Sequence, residues 1–119
     1  MKKTTVYSSA ARTATPNAVT VACGRYNWLR VVIDVTAISS TPSVVCTIDG
    51  YSPLSGKYYN LLTAAAVTAT GTTVLQVGPG LPVTSNLSAN TVLPDTVRVT
   101  MTHGDSDSIT YTVAAELMD

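Results

Sequence analysis

The residues best equipped for chemistry lie together near the C-terminus, in the segment His103-Gly-Asp-Ser-Asp107. One imidazole and two carboxylates on a single loop suggest a metal site. Calcium, however, wants about six or more oxygen ligands, which this loop cannot supply alone. Gly and Asp are also turn residues, because they tolerate positive φ and cap their own backbone. The segment therefore reads as a hairpin turn. Nucleophilic catalysis needs a base beside Ser or Cys. The chain has one His and neither a G-x-S-x-G nor an H-E-x-x-H motif. Gly50–Lys57 (GYSPLSGK) resembles a phosphate loop but fails in detail. Five residues separate its glycines where four are required, and Tyr58 stands where Ser or Thr must hold magnesium. Pro53 also removes an amide that would cradle phosphate. Asn86-Leu-Ser88 is a glycosylation sequon without a secretory signal before it. No catalytic, cofactor-binding or metal-ligating residue is assigned, and neither an enzyme activity nor a cofactor is expected.

Aromatic residues give a different signal. Tyr51, Tyr58 and Tyr59 surround one loop. Tyrosine offers contact area at low entropic cost and is enriched at interfaces. The competing reading packs one of Tyr58 and Tyr59 in the core and lays the other over an edge, since adjacent strand residues face opposite sides. Trp28, at a strand start, reads as a core plug rather than a ligand platform.

The elements that must carry these residues follow from composition. The chain has 119 residues, which is one domain, and 45% of them are hydrophobic against 12% charged. Thr and Val lead with 20 and 16 residues, a bias towards sheet. Seven Lys+Arg balance seven Asp+Glu. A nucleic-acid binder would need a basic excess, so neither nucleic acid nor membrane is expected as a partner. No run approaches the ~18 apolar residues that span a bilayer. No apolar stretch follows Lys2 and Lys3, so a secretory signal is not expected and synthesis in a cytoplasm is. In that reducing compartment Cys23 and Cys46 are expected to be buried thiols.

Strand patterns recur at even spacing. Residues 17–23 alternate, and Trp28–Ile38 sets Leu29, Val31, Ile33 and Val35 on one apolar face. Ser43–Asp49, Lys57–Leu62, Thr73–Val77, Thr96–Thr102 and Ser108–Leu117 follow, with Gly, Pro and Asn between them. Ala64–Thr70 is ambiguous between helix and strand, and Val83–Leu93 is a long polar connection. About seven short strands in one domain predict an all-β fold, a single antiparallel β-sandwich or small jelly roll spanning residues 17–119. Residues 1–16 lack a clean period, end at Pro16, and read as an extended N-terminal arm. Expected contact residues are Tyr7, Arg12 and Pro16 on the arm, with Tyr51, Tyr58 and Tyr59 around the loop.

Two stretches carry a resemblance. LRVVIDVTAISSTPSVVCTIDGYSPLSGKYYNLL (from Leu29) and LPDTVRVTMTHGDSDSITYTV (from Leu93) resemble small virion structural proteins of tailed bacteriophages. The resemblance covers about residues 29–117 and implies a β-rich head decoration (capsid cement) protein. Its implied partners are the major capsid protein and further copies of itself, as a homotrimer. Its implied location is the capsid surface of the virion. On that reading the arm bridges neighbouring capsid subunits, and many weak contacts add through multivalency. Two other readings stand beside it. One is a tail tube or tail-completion component that uses Val83–Leu93 to reach the next ring. The other is a carbohydrate-binding β-sandwich that uses Asp49, Tyr51, Tyr58 and Tyr59.

Overall fold

Alternation dictates two apolar faces, and in the computed structural model, which describes residues 1–119, they meet as a two-layer β-sandwich. The chain runs β1 (Lys2–Arg12), β2 (Val19–Ala22), β3 (Trp28–Ile38), β4 (Val44–Ser52), β5 (Lys57–Thr63), β6 (Gly71–Gly78), β7 (Ser88–Asn90), β8 (Thr96–His103) and β9 (Ile109–Met118). One sheet has the order β1-β9-β3-β6-β7 and the other β2-β8-β4-β5. Every pairing is antiparallel except β6 with β7, which is parallel. Inward residues of β3, β4, β8 and β9 interleave between the sheets. Ile33, Ile48, Val99, Tyr111 and Val113 are each fully buried. Such alternation, apolar in and Thr or charge out, is what an antiparallel sheet with one solvated face requires.

Three expectations are corrected here. Lys2–Arg12 is not an arm but the edge strand of the five-stranded sheet, in register with β9 from Lys2↔Leu117 to Arg12↔Ile109. Two bulges, around Val6 and between Tyr7 and Ala10, break its period and hide the strand from a pattern search. Residues 2–12 therefore belong to the sandwich along with residues 17–119. Secondly, His103–Asp107 is no hairpin turn, because β8 and β9 lie in opposite sheets. Two strands that each bury one face look alike whether they pair side by side or pack across the core. Thirdly, Val83–Leu93 is not wholly irregular: Ser88–Asn90 forms β7 beside β6. The ambiguous Ala64–Thr70 is neither helix nor strand and makes a single bridge, Val67 to Val44.

Two glycines are needed for close approach. A Cβ on Gly78 would fall 2.0 Å from the Trp28 ring. One on Gly50 would fall 2.6 Å from the Tyr59 ring. The indole is pinned, because its Nε1–H donates to the Pro79 carbonyl at 3.0 Å. Trp28 is thus a half-buried clamp over β6. Gly78→Ala should cost about 1–3 kcal/mol by overpacking. Thermal unfolding would read the loss, and a red shift in the emission of the sole Trp would locate it.

All four sheet edges are protected against stray strand pairing. β1 carries two bulges with Lys2 and Lys3, and β5 carries Lys57 and a bulge at Leu61. β2 and β7 are only four and three residues long. These are the devices by which sheet proteins avoid edge-to-edge aggregation.

Candidate binding surface

The outer face of the four-stranded sheet gathers the side chains best suited to hold a partner. Tyr51 on β4 stands opposite Tyr58 on β5, and their ring centroids are 4.9 Å apart. Arg98 on β8 stands opposite Asp49 on β4, which in turn faces Asn60 on β5. Registry alone therefore brings five polar and aromatic side chains onto one face. The Arg98 guanidinium carbon lies 3.8 Å from the Tyr58 ring centroid, and its Nη2 donates to Asp49 Oδ2 at 3.2 Å. Asn60 Nδ2 donates to the other Asp49 oxygen at 3.3 Å. Stacking and ion pair together fix the guanidinium, so it presents a pre-ordered planar donor. Its Nε–H is buried without a partner. Thr47, Thr63 and Thr100 form the next row across the sheet. Beyond Tyr51 and Tyr58, the β4–β5 turn projects Leu54 wholly into solvent.

The expected contact residues divide. Tyr51 is half-buried and Tyr58 is 38% exposed, both on this face. Tyr59, 46% exposed, turns to the other side of β5 and covers Gly50. Neither member of the pair enters the core. Arg98 was not singled out from sequence, since an outward Arg on an alternating strand is unremarkable until its cross-strand neighbours are known. Tyr7, expected at a contact surface, is buried at 6% exposure. The bulge at Val6 turns both Val6 and Tyr7 into the core.

Tyr7, Arg12 and Pro16 belong instead to a second cluster, which locks β1 in place. The Tyr7 hydroxyl points at two carbonyls, Asn17 at 2.7 Å and Val99 at 3.2 Å. Its ring meets the Tyr111 ring edge-on at 6.4 Å. Arg12 lies 4.6 Å over the Tyr111 ring and donates to the carbonyls of Ser8, Ala10 and Tyr111. Pro16 is half-buried in the connection to β2. Next to it, Thr15 Oγ1 accepts from the His103 amide at 2.9 Å.

His103 closes this cluster, with Nε2 at 3.0 Å from the Tyr111 hydroxyl. Burial pushes the Tyr111 phenol up to about 12, so it remains a neutral hydroxyl. Burial also holds the His103 imidazole below its ordinary 6.5, with Asp105 opposing and Arg12 assisting. A lowered folded value means that the unfolded chain takes up the proton first. Stability is then full above about pH 6.5 and falls as pH drops below it. Thermal unfolding measured between pH 7.5 and pH 5 should show this loss, and His103→Gln should flatten it.

The acidic neighbours of His103 serve the loops. Asp107 Oδ2 accepts from the Thr41 amide at 3.2 Å, and Asp105 Oδ1 accepts from the Asp107 amide at 3.1 Å. No group of three or more His, Cys, Asp or Glu residues is placed to hold a metal ion. Cys23 and Cys46 are fully buried and unpaired. Burial raises their thiols to about 11 and about 12, out of the range of reactive thiolates.

The chain matches no protein-family model and no curated protein sequence.

Proposed function

We propose that this chain is a non-catalytic structural protein of a tailed-phage virion that decorates and stabilises the capsid by binding major capsid protein subunits. The observation that carries the reading is the Tyr51–Tyr58–Arg98–Asp49 cluster on the open face of the four-stranded sheet. Tyr and Arg are enriched among the few residues that dominate protein contacts, and holding their side chains before binding lowers the cost of association. The sheet holds them on paired strands, not on loops. The Thr row beside them adds a flat, uncharged surface that adjoining subunits can approach without repulsion. The resemblance of residues 29–117 to small virion proteins supplies the setting. Copies arranged as a trimer on the lattice would multiply a modest single-site affinity.

A carbohydrate-binding reading draws on the same face, because Asp49, Asn60, Tyr51 and Tyr58 lie together there. Co-sedimentation of the labelled protein with purified heads, run beside a glycan array, separates the two. Saturable binding to heads with a blank array supports decoration. Binding to glycans with none to heads overturns it.

A further inference from the structure

β1 is an edge strand, and it is joined to β2 by six residues, Thr13–Ala18, that belong to no strand. The connection leaves one sheet and enters the other, since β1 and β2 lie at edges of opposite sheets. Of the eleven residues in β1 only Val6 and Tyr7 are buried. The strand is therefore held as a unit by a two-residue plug, the Arg12 stack on Tyr111, and its ladder to β9.

Removing β1 would leave the edge of β9 unpaired and uncover the Tyr111 ring that Tyr7 and Arg12 hold in the intact fold. A ten-residue edge of unpaired backbone groups is a template for another strand. The groove is selective. It requires two consecutive buried residues at a bulge and a cation five residues later over the Tyr111 ring. The β1 of a second copy meets every one of these demands.

We propose that β1 exchanges between copies, each chain placing Lys2–Arg12 against the β9 of a neighbour. The contacts made in trans are those made in cis, so the two states differ only in the connection and in local concentration. Six extended residues reach about 20 Å. That suffices for copies in contact, given a molecule of 40 × 29 × 24 Å. A short connection gives an effective concentration of order mM, so exchange wins only where copies are crowded at that level. The inference needs no particular partner and stands apart from the capsid reading.

The register supplies the test. Thr5 on β1 faces Ala114 on β9, and both lie on the outer side of the sheet. Chains carrying Thr5→Cys are mixed with chains carrying Ala114→Cys, refolded together from urea and oxidised. A parallel mixture replaces Ala114→Cys with Thr72→Cys, which lies on β6 across the same face. The buried Cys23 and Cys46 do not compete. Refolding at about 1 mM should give at least ten times more disulfide-linked dimer from the Thr5/Ala114 mixture than from the Thr5/Thr72 mixture, and refolding at about 1 µM should abolish the difference. Equal yields from both mixtures at high concentration would overturn exchange. A single chain carrying both Thr5→Cys and Ala114→Cys checks the register itself, because it must close an internal disulfide when refolded dilute. If it fails to, the strand pairing on which exchange depends is wrong.

Discussion

Tyr111→Ala should destabilise the protein by about 3–5 kcal/mol, the cost of removing a large ring from a packed core. Tyr111 is the largest of the fully buried side chains, and three side chains from two strands converge on it. Arg12 of β1 lies over its ring, Tyr7 of β1 meets that ring edge-on, and His103 at the end of β8 meets its hydroxyl. Truncation would empty the core and loosen β1 at once. Against a total stability of about 5–15 kcal/mol, this is enough to approach unfolding. At roughly 4 °C per kcal/mol, the melting temperature should fall by about 12–20 °C. Tyr111→Phe keeps the ring and loses only the bond to His103, so it should cost about 1–2 kcal/mol. Denaturant melts of the two variants measure the split. Equal losses would mean that the hydroxyl and not the ring organises this end of the sandwich.

Arg98→Ala should weaken binding to heads by about 30-fold or more, equivalent to about 2 kcal/mol at a contact hot spot. Its effect on stability should be small, because the Arg98–Asp49 pair is one-third exposed on the arginine side. Tyr58→Ala should act in the same direction, since it removes the ring on which the guanidinium rests. Co-sedimentation with heads alongside thermal melts separates the two quantities. A variant that binds as wild type and melts normally would exclude this face from the contact. Removing residues 1–16 is not a clean test of the same point. It takes Tyr7 out of the core and bares β9, so a loss of binding would follow from a loss of fold.

Much of the sandwich was legible in the residues, because alternation is a local signal. Trp28–Ile38 has the bounds read from its pattern, and Leu29, Val31, Ile33 and Val35 are buried as the pattern requires. What was not legible was non-local. The bulges in β1 shift the period within the strand, so Val6 and Tyr7 both point inward and the stretch reads as irregular. The placement of β8 and β9 in different sheets depends on packing across the core, and the intervening turn residues do not report it. The candidate surface was half visible. Tyr51 and Tyr58 stood out by type, whereas Arg98 joins them only through the register of β4 with β8, set by residues nearly fifty positions away. Tyr7 and Arg12 were noticed for their chemistry, yet they spend it inside the fold, fastening the first strand to the last.

Cryo-electron microscopy of intact virions tests the central claim most directly. The account predicts nine-stranded sandwich density on the outer surface of the head, with the Tyr51–Tyr58–Arg98 face turned towards the shell. Density confined to the tail, or a sandwich seated on the head through its five-stranded sheet with Arg98 facing solvent, would contradict it.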